Sequence, residues 1–446
     1  MKLKLVVASM SMLGLIASPV FADTAQTTQT TQTTQTLPKH KHHHHKKVVV
    51  VHHHYVDAQP QDYKAMGALP TIVVPQVDTY QIMYDAMSQN TGRSKAMPDW
   101  FNRIGVSGGL NVDGHWGNRS QGYMGENYTR VSLNDAYLNI AANVNDWTKA
   151  LASLSYSNFS ATSGRNLGSY STAYTNNQIN LEQGYLTVAN YDVSPLFFQV
   201  GKQYSDYGRY QIHALVRTMS QVMTESLQTS AKLGFITRMG LHGDISAFSN
   251  PSIQFANNHS NTVYGAALGF DQINDQLGYD LGIGYMSDLT GVNDIQNMMG
   301  NTPVGPHNYV HTVGGISLYG DVNSGPFSVS ARYTTAIQNF NPNDLSTQFH
   351  SNVGNGAKPW AADLTAGYAF NGWNKNQNVY VGYQASNNAV NLALPKSRWL
   401  AGYNVDMWKN TNVGLEWDHD NAYSSGHGGN GNNTNIVGAR ASVKFG

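Results

Sequence analysis

Val437-Gly438-Ala439-Arg440-Ala441-Ser442-Val443-Lys444-Phe445 decides the fold. Val437, Ala439, Ala441, Val443 and Phe445 take one parity; Gly438, Arg440, Ser442 and Lys444 take the other. Successive strand side chains point to opposite faces, so this is a strand with one apolar and one polar face. The same period recurs up the chain. Val413, Leu415 and Trp417 oppose Asn412, Gly414 and Glu416. Ala362, Leu364, Ala366 and Tyr368 oppose Asp363, Thr365 and Gly367, and Phe327, Val329, Ala331 and Tyr333 oppose Ser328, Ser330, Arg332 and Thr334. Leu277 to Tyr285 and Ile104 to Leu110 repeat it, while in 179–189 Glu182 shares parity with Leu186 and Val188 and the faces stay unassigned.

Sixteen such segments begin near 103, 133, 149, 179, 196, 231, 243, 262, 277, 311, 327, 361, 378, 398, 411 and 436. Their connections alternate short and long. The short ones carry turn formers such as Asn145-Asp146, Asn323-Ser324-Gly325-Pro326 and Asn371-Gly372. The long ones reach 204–230. Even strand number with short turns at one end and long loops at the other is the pattern of a transmembrane antiparallel β-barrel. The window 103–445 allots about 21 residues to each strand with its connection, enough for strands of about 9–11 residues. The alternative is a water-soluble sandwich or propeller. It leaves the short–long rhythm unexplained, whereas a closed barrel satisfies every backbone group in lipid and has no edge.

Composition agrees. Of 446 residues only 12% are charged, against about 25% in ordinary soluble domains. Lys+Arg 27 balances Asp+Glu 27, so no basic excess exists to hold nucleic acid. There is no cysteine, which excludes disulfide scaffolds, thiolate metal sites and cysteine nucleophiles. Gly 43 and Tyr 26 suit turns and membrane interfaces.

Residues 1–22 read as a signal peptide. Lys2 and Lys4 precede the apolar Leu5 to Ile16, and Val20-Phe21-Ala22 forms the cleavage pattern. Residues 23–99 read as a polar periplasmic tail with Thr-Thr-Gln triplets and a short helix from Thr79 to Ser88. Within it, His40, His42, His43, His44, His45, His52, His53 and His54 supply clustered imidazoles, the chemistry that captures divalent transition metals; a solvated linker is the plainer reading. Residues 100–446 form the barrel, which places the chain in a bacterial outer membrane with its tail in the periplasm.

Ser194-Pro195-Leu196-Phe197-Phe198-Gln199-Val200-Gly201-Lys202-Gln203-Tyr204, followed by Tyr207-Gly208-Arg209-Tyr210, resembles the LbtU-like siderophore porin family, with its S-P-x-x-F-x-x-G strand and Y-x-x-[FY]-G-R-Y loop. Asn102 to Gly108 and Asp135 to Ile140 are similar to that family's first two barrel strands. Residue 206 is Asp in this loop, and the His-rich tail has no counterpart. The resemblance implies an outer-membrane barrel that passively admits a ferric siderophore. The residues independently speak against an energy-coupled plug, since plugged transporters need about 22 strands.

Lumen parity selects Arg103, Asp135, Arg238, Asp280, Arg332, Asp363, Glu416 and Arg440 as pore-lining charges. Their mixed signs fit a small polar solute better than an ion. The longest loop, 204–230, is the constriction candidate through Tyr204, Asp206, Tyr207, Arg209, Tyr210, Arg217 and Glu225, with an ordinary surface loop as the alternative. No cofactor is called for. The expected partners are outer-membrane lipid, the solute or ferric siderophore, a divalent metal at the tail and further copies in a homo-oligomer. Two rival classes stand beside the porin. One is an adhesin or structural surface barrel. The other is a barrel lipase, which requires Ser–His–Asn or Ser–His–Asp on adjacent lipid-facing positions. Asp418-His419-Asp420 is a further, isolated metal candidate.

Overall fold

The computed structural model describes residues 103–118, 128–156, 179–209, 215–237, 239–249, 262–273, 277–300, 309–348 and 355–445. Sixteen strands lie among them. They are β1 (Ile104–Asn118), β2 (Tyr128–Asn143), β3 (Thr148–Tyr156), β4 (Ile179–Ala189), β5 (Leu196–Tyr204), β6 (Leu227–Ile236), β7 (Leu241–Ser249) and β8 (Thr262–Ile273). The second half comprises β9 (Leu277–Met286), β10 (Gly315–Ser324), β11 (Phe327–Ala336), β12 (Trp360–Gly372), β13 (Lys375–Asn387), β14 (Ser397–Trp408), β15 (Thr411–Asn421) and β16 (Thr434–Phe445). Each pairs antiparallel with its sequence neighbours, and β1 pairs with β16, closing the barrel. The sixteen expected segments correspond to these strands. The signal peptide, tail, tail helix and tail histidines lie outside the described residues.

Closure leaves two surfaces of opposite character. Val106, Leu110, Ile245, Leu268, Leu364, Val381, Leu415 and Val443 stand exposed on the outside. Asn111, Asp321, Arg332, Asp363, Glu416 and Arg440 are buried on the inside. In water such an exterior is unfavourable over its whole area; in hydrocarbon it is the matching surface. Aromatic side chains rim both ends of the apolar band. At the long-loop end Tyr333 meets Trp360 and Tyr383 meets Trp399 at 4.6 Å between ring centroids. At the short-turn end Phe327 meets Tyr368, which stacks on Phe370. Trp360 and Phe370 are ten residues apart on β12, which at about 3.3 Å per residue and a barrel tilt near 40° separates the rims by about 25 Å.

Turn chemistry sets the short end. Trp373 and Asn374 both adopt positive φ (54° and 58°), the two-residue turn that matches strand twist. Three register shifts interrupt the alternation: between Asn111 and Val112 against β2, between Ser153 and Leu154 against β4, and between Asp406 and Trp408 against β15. The second explains the unreadable segment. Leu154 faces Leu181 and Ser153 faces Gln183, so Glu182 is the extra residue, and both Glu182 and Gln183 are buried inside.

Candidate functional site

The described parts of the connection from β5 to β6, residues 205–209 and 215–226, turn into the barrel. They carry the six-residue helix α1 (Met219–Thr224), all of whose residues are buried. Thr218 caps it by accepting from the Gln221 N–H, and the Thr224 hydroxyl donates back to the Ser220 carbonyl at 2.7 Å. Six residues cannot hold a helix alone in water, so the surrounding wall must hold it.

The wall does so with charge. Strand register sets Tyr319 on β10, Arg332 on β11, Asp363 on β12, Gln384 on β13, Arg398 on β14 and Asp420 on β15 side by side in one row. Guanidinium groups in and beside this row meet loop carbonyls, and carboxylates meet loop N–H groups. Arg332 Nε donates to the Arg209 carbonyl at 3.1 Å and Arg398 to the Arg217 carbonyl at 3.4 Å. Asp363 accepts from the Ser220 N–H at 3.0 Å and from the Ser220 hydroxyl. Gln384 Oε1 accepts from the Met219 N–H at 3.3 Å. On β15, Glu416 accepts from the Leu215 and Val216 N–H groups, both at 2.8 Å, and from the Tyr380 hydroxyl at 2.7 Å. Each buried arginine is also held by a carboxylate in a two-pronged pair: Arg332 with Asp321, Arg398 with Asp420, and Arg440 with Asp113 at 2.6 and 2.7 Å. Charges so deep persist only when paired and hydrogen-bonded on every side, which these pairs achieve.

The loop's first turn docks on β9 and β10. A Cβ at Gly284 would lie 2.2 Å from the Tyr207 carbonyl oxygen, and one at Gly315 would lie 2.2 Å from the Tyr207 hydroxyl. Only glycine lets the loop approach this closely. Arg209 lies over the Tyr319 ring, 5.2 Å from its centroid, and within 3.4 Å of His242. Asp206 pairs with Lys232 at 2.6 Å. Burial alone would raise the Asp206 carboxyl, but the Lys232 and Arg209 charges outweigh it and hold it at about 2. Arg217 binds both Glu225 and Asp294, the latter on α2 (Asn293–Gly300) of the β9–β10 loop. Burial works against the Arg217 charge, yet these two carboxylates keep its proton on more firmly than usual. Met219, Val222 and Met223 of α1 join Leu289, Ile295, Met299, Phe340 and Leu392 from other long loops in one apolar cluster above the charged row.

Four of the expected lumen charges, Arg332, Asp363, Glu416 and Arg440, are lumen-facing and contact this loop. Asp280 also faces inward, beside Asp321 and Asp271 in register. Arg103 has lumen parity but stands before β1, exposed, donating to the Val144 carbonyl in the β2–β3 turn; it does not line the lumen. Asp135 pairs with Asn111 in β2, and its side chain lies outside the described residues, as do Arg238 and Tyr210. Tyr204 ends β5 and donates to Glu182 at 2.6 Å. Asp418 and Asp420 point inward while His419 takes the outward parity, so Asp418-His419-Asp420 cannot close on one metal. On the outer wall His419 Nδ1 lies 2.9 Å from Asn435 Oδ1, with no serine bonded to that histidine among the described residues. The sequence does not single out Asp113, Asp321, Arg398, Tyr380 and Gln384, and it offers Asp420 only as part of a metal candidate. All have lumen parity in the sequence, but their partners lie up to hundreds of positions away.

The opposite wall differs. Ser107 on β1, Asn139 on β2, Ser153 on β3 and Gln183 on β4 stand side by side in register, all buried and uncharged. Gln199 and Gln203 continue this chemistry on β5.

The barrel is porin-like in fold. Over 77% of this chain and 94% of its own, OprB of Pseudomonas putida superposes with a TM-score of 0.52 at 12% identity. In sequence the chain is similar to a UPF0422 protein of Coxiella burnetii (23% identical over 325 residues, 72% of this chain and 65% of that protein). It is likewise similar to a UPF0422 protein of Legionella pneumophila subsp. pneumophila (26% over 305 residues, 66% and 54%). The chain thus spans between about half and two thirds of the length of these curated relatives. No family model matches it. The siderophore-porin resemblance rests on its own motifs, of which Gly201 and Tyr204 lie in β5 and Tyr207 and Arg209 in the docked loop.

Proposed function

We propose that this chain is a passive outer-membrane pore for small polar solutes, narrowed by residues 205–226. The observation that carries this reading is the loop fastened inside a closed barrel by Arg332, Asp363, Gln384, Arg398, Glu416 and Arg440. A surface loop of an adhesin has no reason to be gripped by the inner wall at six points. Fixed charges and a constriction are what a selective pore requires. Four of the expected lumen charges, Arg332, Asp363, Glu416 and Arg440, act as fasteners of the constriction.

Ferric siderophore is the cargo that the resemblance of residues 194–210 favours. The division into signal peptide 1–22, tail 23–99 and barrel 100–446, a periplasmic tail that captures divalent metal through His40 to His54, and a homo-oligomer are parts of the same reading. Planar-bilayer recording of the refolded full chain tests the pore: discrete single-channel steps are expected, and a sealed bilayer overturns it. Uptake of labelled ferric siderophore by cells with and without the protein tests the cargo. Release of fatty acid from labelled phospholipid, dependent on His419, would instead establish a lipase.

A further inference from the structure

The buried amides of β2 to β5 are oddly placed for mere packing. Gln183 is 0% exposed, and neither its Oε1 nor its Nε2 has a hydrogen-bond partner. Gln199 gives its Nε2 to the Thr187 hydroxyl at 3.1 Å, and Gln203 gives its own to the Ser230 carbonyl. Both leave Oε1 unpartnered, as does Asn139 with its Oδ1. Continuing the β4–β5 register one residue past Gly184 and Lys202 sets Gln203 beside Gln183. Five uncharged polar side chains, Ser107, Asn139, Ser153, Gln183 and Gln203, therefore cross five neighbouring strands as one ribbon. It offers mainly acceptors, with one free amide donor pair at Gln183.

Buried polar groups are normally satisfied; open ones also stand on the far side, as at Asn404 and Asp418, but on β2 to β5 they form an uncharged, contiguous set that an uncharged ligand completes. The only buried charge on β2 to β5 among the described residues is Glu182, which accepts from Tyr204. That carboxylate is already engaged by the Tyr204 hydroxyl, so among the described residues the wall presents mainly uncharged groups. Resting on the porin reading above, we propose that the ribbon is a solute-binding strip for an uncharged molecule rich in hydroxyl or amide groups. Such a molecule donates O–H or N–H to Oε1 of Gln183 and Gln203 and to Oδ1 of Asn139, and accepts from Gln183 Nε2. A saccharide and a neutral hydroxamate chelate of iron share that chemistry; a polycarboxylate chelate does not.

The test is current blockade in planar bilayers holding the full-length protein, with raffinose, a neutral ferric trihydroxamate and ferric citrate as separate probes. One of the two neutral probes should interrupt the current, and which one does so names the source of the ligand. In Gln183→Leu and Gln203→Leu that blockade should weaken by about tenfold, since each loses hydrogen bonds to the solute. Each variant's own current before solute is added is the reference, and blockade is scored as a fraction of it. Ser153→Ala, a smaller change, guards against misfolding and should weaken blockade in the same direction. Blockade by ferric citrate equal to that by the neutral probes overturns the proposal, as do parent-like blockade in the variants and no blockade at all through conducting channels. A refolded parent that passes no current overturns the porin reading instead.

Discussion

The wall from β11 to β16 grips a loop with charge, and the wall from β2 to β5 faces inward chiefly with uncharged amides and hydroxyls. From β9 to β16 the wall presents Arg332, Asp363, Arg398, Glu416 and Arg440, each bonded to loop 205–226. From β2 to β5 it presents Asn139, Ser153, Gln183, Gln199 and Gln203, whose amide oxygens largely lack partners. The same strand geometry builds both, so the difference lies in what each wall must hold. A backbone loop exposes N–H and C=O groups that must be satisfied inside the barrel, and charge-assisted bonds do this most strongly. A passing solute must be held weakly enough to leave, which neutral amides allow.

The largest effect is expected where the charged wall is broken. Arg440→Ala leaves Asp113 buried without its two-pronged partner and releases the Leu215 carbonyl. Removing one member of a buried pair costs about 3–5 kcal/mol. The midpoint for denaturant unfolding in detergent should drop accordingly, and single-channel conductance should rise as the loop loosens. The double change Arg440→Met with Asp113→Leu should recover most of the stability. A single variant as stable as the parent would mean that the pair does not hold this wall.

Next comes the docking surface of Tyr207. Gly284→Ala sets a methyl 2.2 Å from the Tyr207 carbonyl, and overpacking of this kind costs about 1–3 kcal/mol. Gly114→Ala on β1, where the nearest atom is 3.8 Å away, should change stability by less than about 0.5 kcal/mol. Gly114 faces outward beside Val131, so equal effects at the two glycines would mean that the Tyr207 contact does not hold the loop. On the neutral side, Thr187→Val removes the acceptor of Gln199 and should cost about 1 kcal/mol in the same unfolding assay. A loss as large as that of Arg440→Ala would show the neutral wall to be a structural clamp as well.

Much of this barrel could be read before any coordinate. Strand parity is local, and Val437 to Phe445 or Leu277 to Tyr285 carry it without help from the rest of the chain. Where a bulge adds a residue, as at Glu182, the parity slips and local reading fails. The inward placement of Arg332, Asp363, Glu416 and Arg440 follows from the same parity. Their attachment to a loop does not, because Leu215 and Glu416 are 201 positions apart and a single sequence holds no trace of that contact. Arg103 shows the opposite limit: parity gave it a face, but the strand begins one residue later. The length of loop 204–230 marked it as unusual, while its inward course was written in Gly284 and Gly315, whose meaning appears only once Tyr207 lies against them.

The smallest expected effect is in acid, at the loop's first tether. Asp206 follows β5 and pairs with Lys232, its carboxylate about one third exposed (35%). Burial pushes that carboxyl up, but Lys232 and Arg209 win and bring it from 3.8 to about 2 in the folded chain. A carboxyl lowered on folding contributes stability that is fully present above its unfolded value and is lost as pH falls through the folded one. The tether should therefore be constant from neutral pH down to about 4 and be released between about 4 and 2. With solvent screening of a partly exposed pair, its contribution is about 1 kcal/mol or less. Other carboxylates of the lumen titrate in acid as well, so the informative quantity is the difference between the parent and Asp206→Asn. Measured in an Asp244→Asn background, because the Asp244 carboxyl shares a hydrogen bond with Asp206, that difference in unfolding midpoint should be flat from pH 7 to 4 and shrink toward zero by pH 2, and channel conductance of the Asp206 form should approach that of the variant over the same interval. A difference that instead vanished between pH 7 and 5 would place the tether on another titrating group and detach the loop's entry from Lys232.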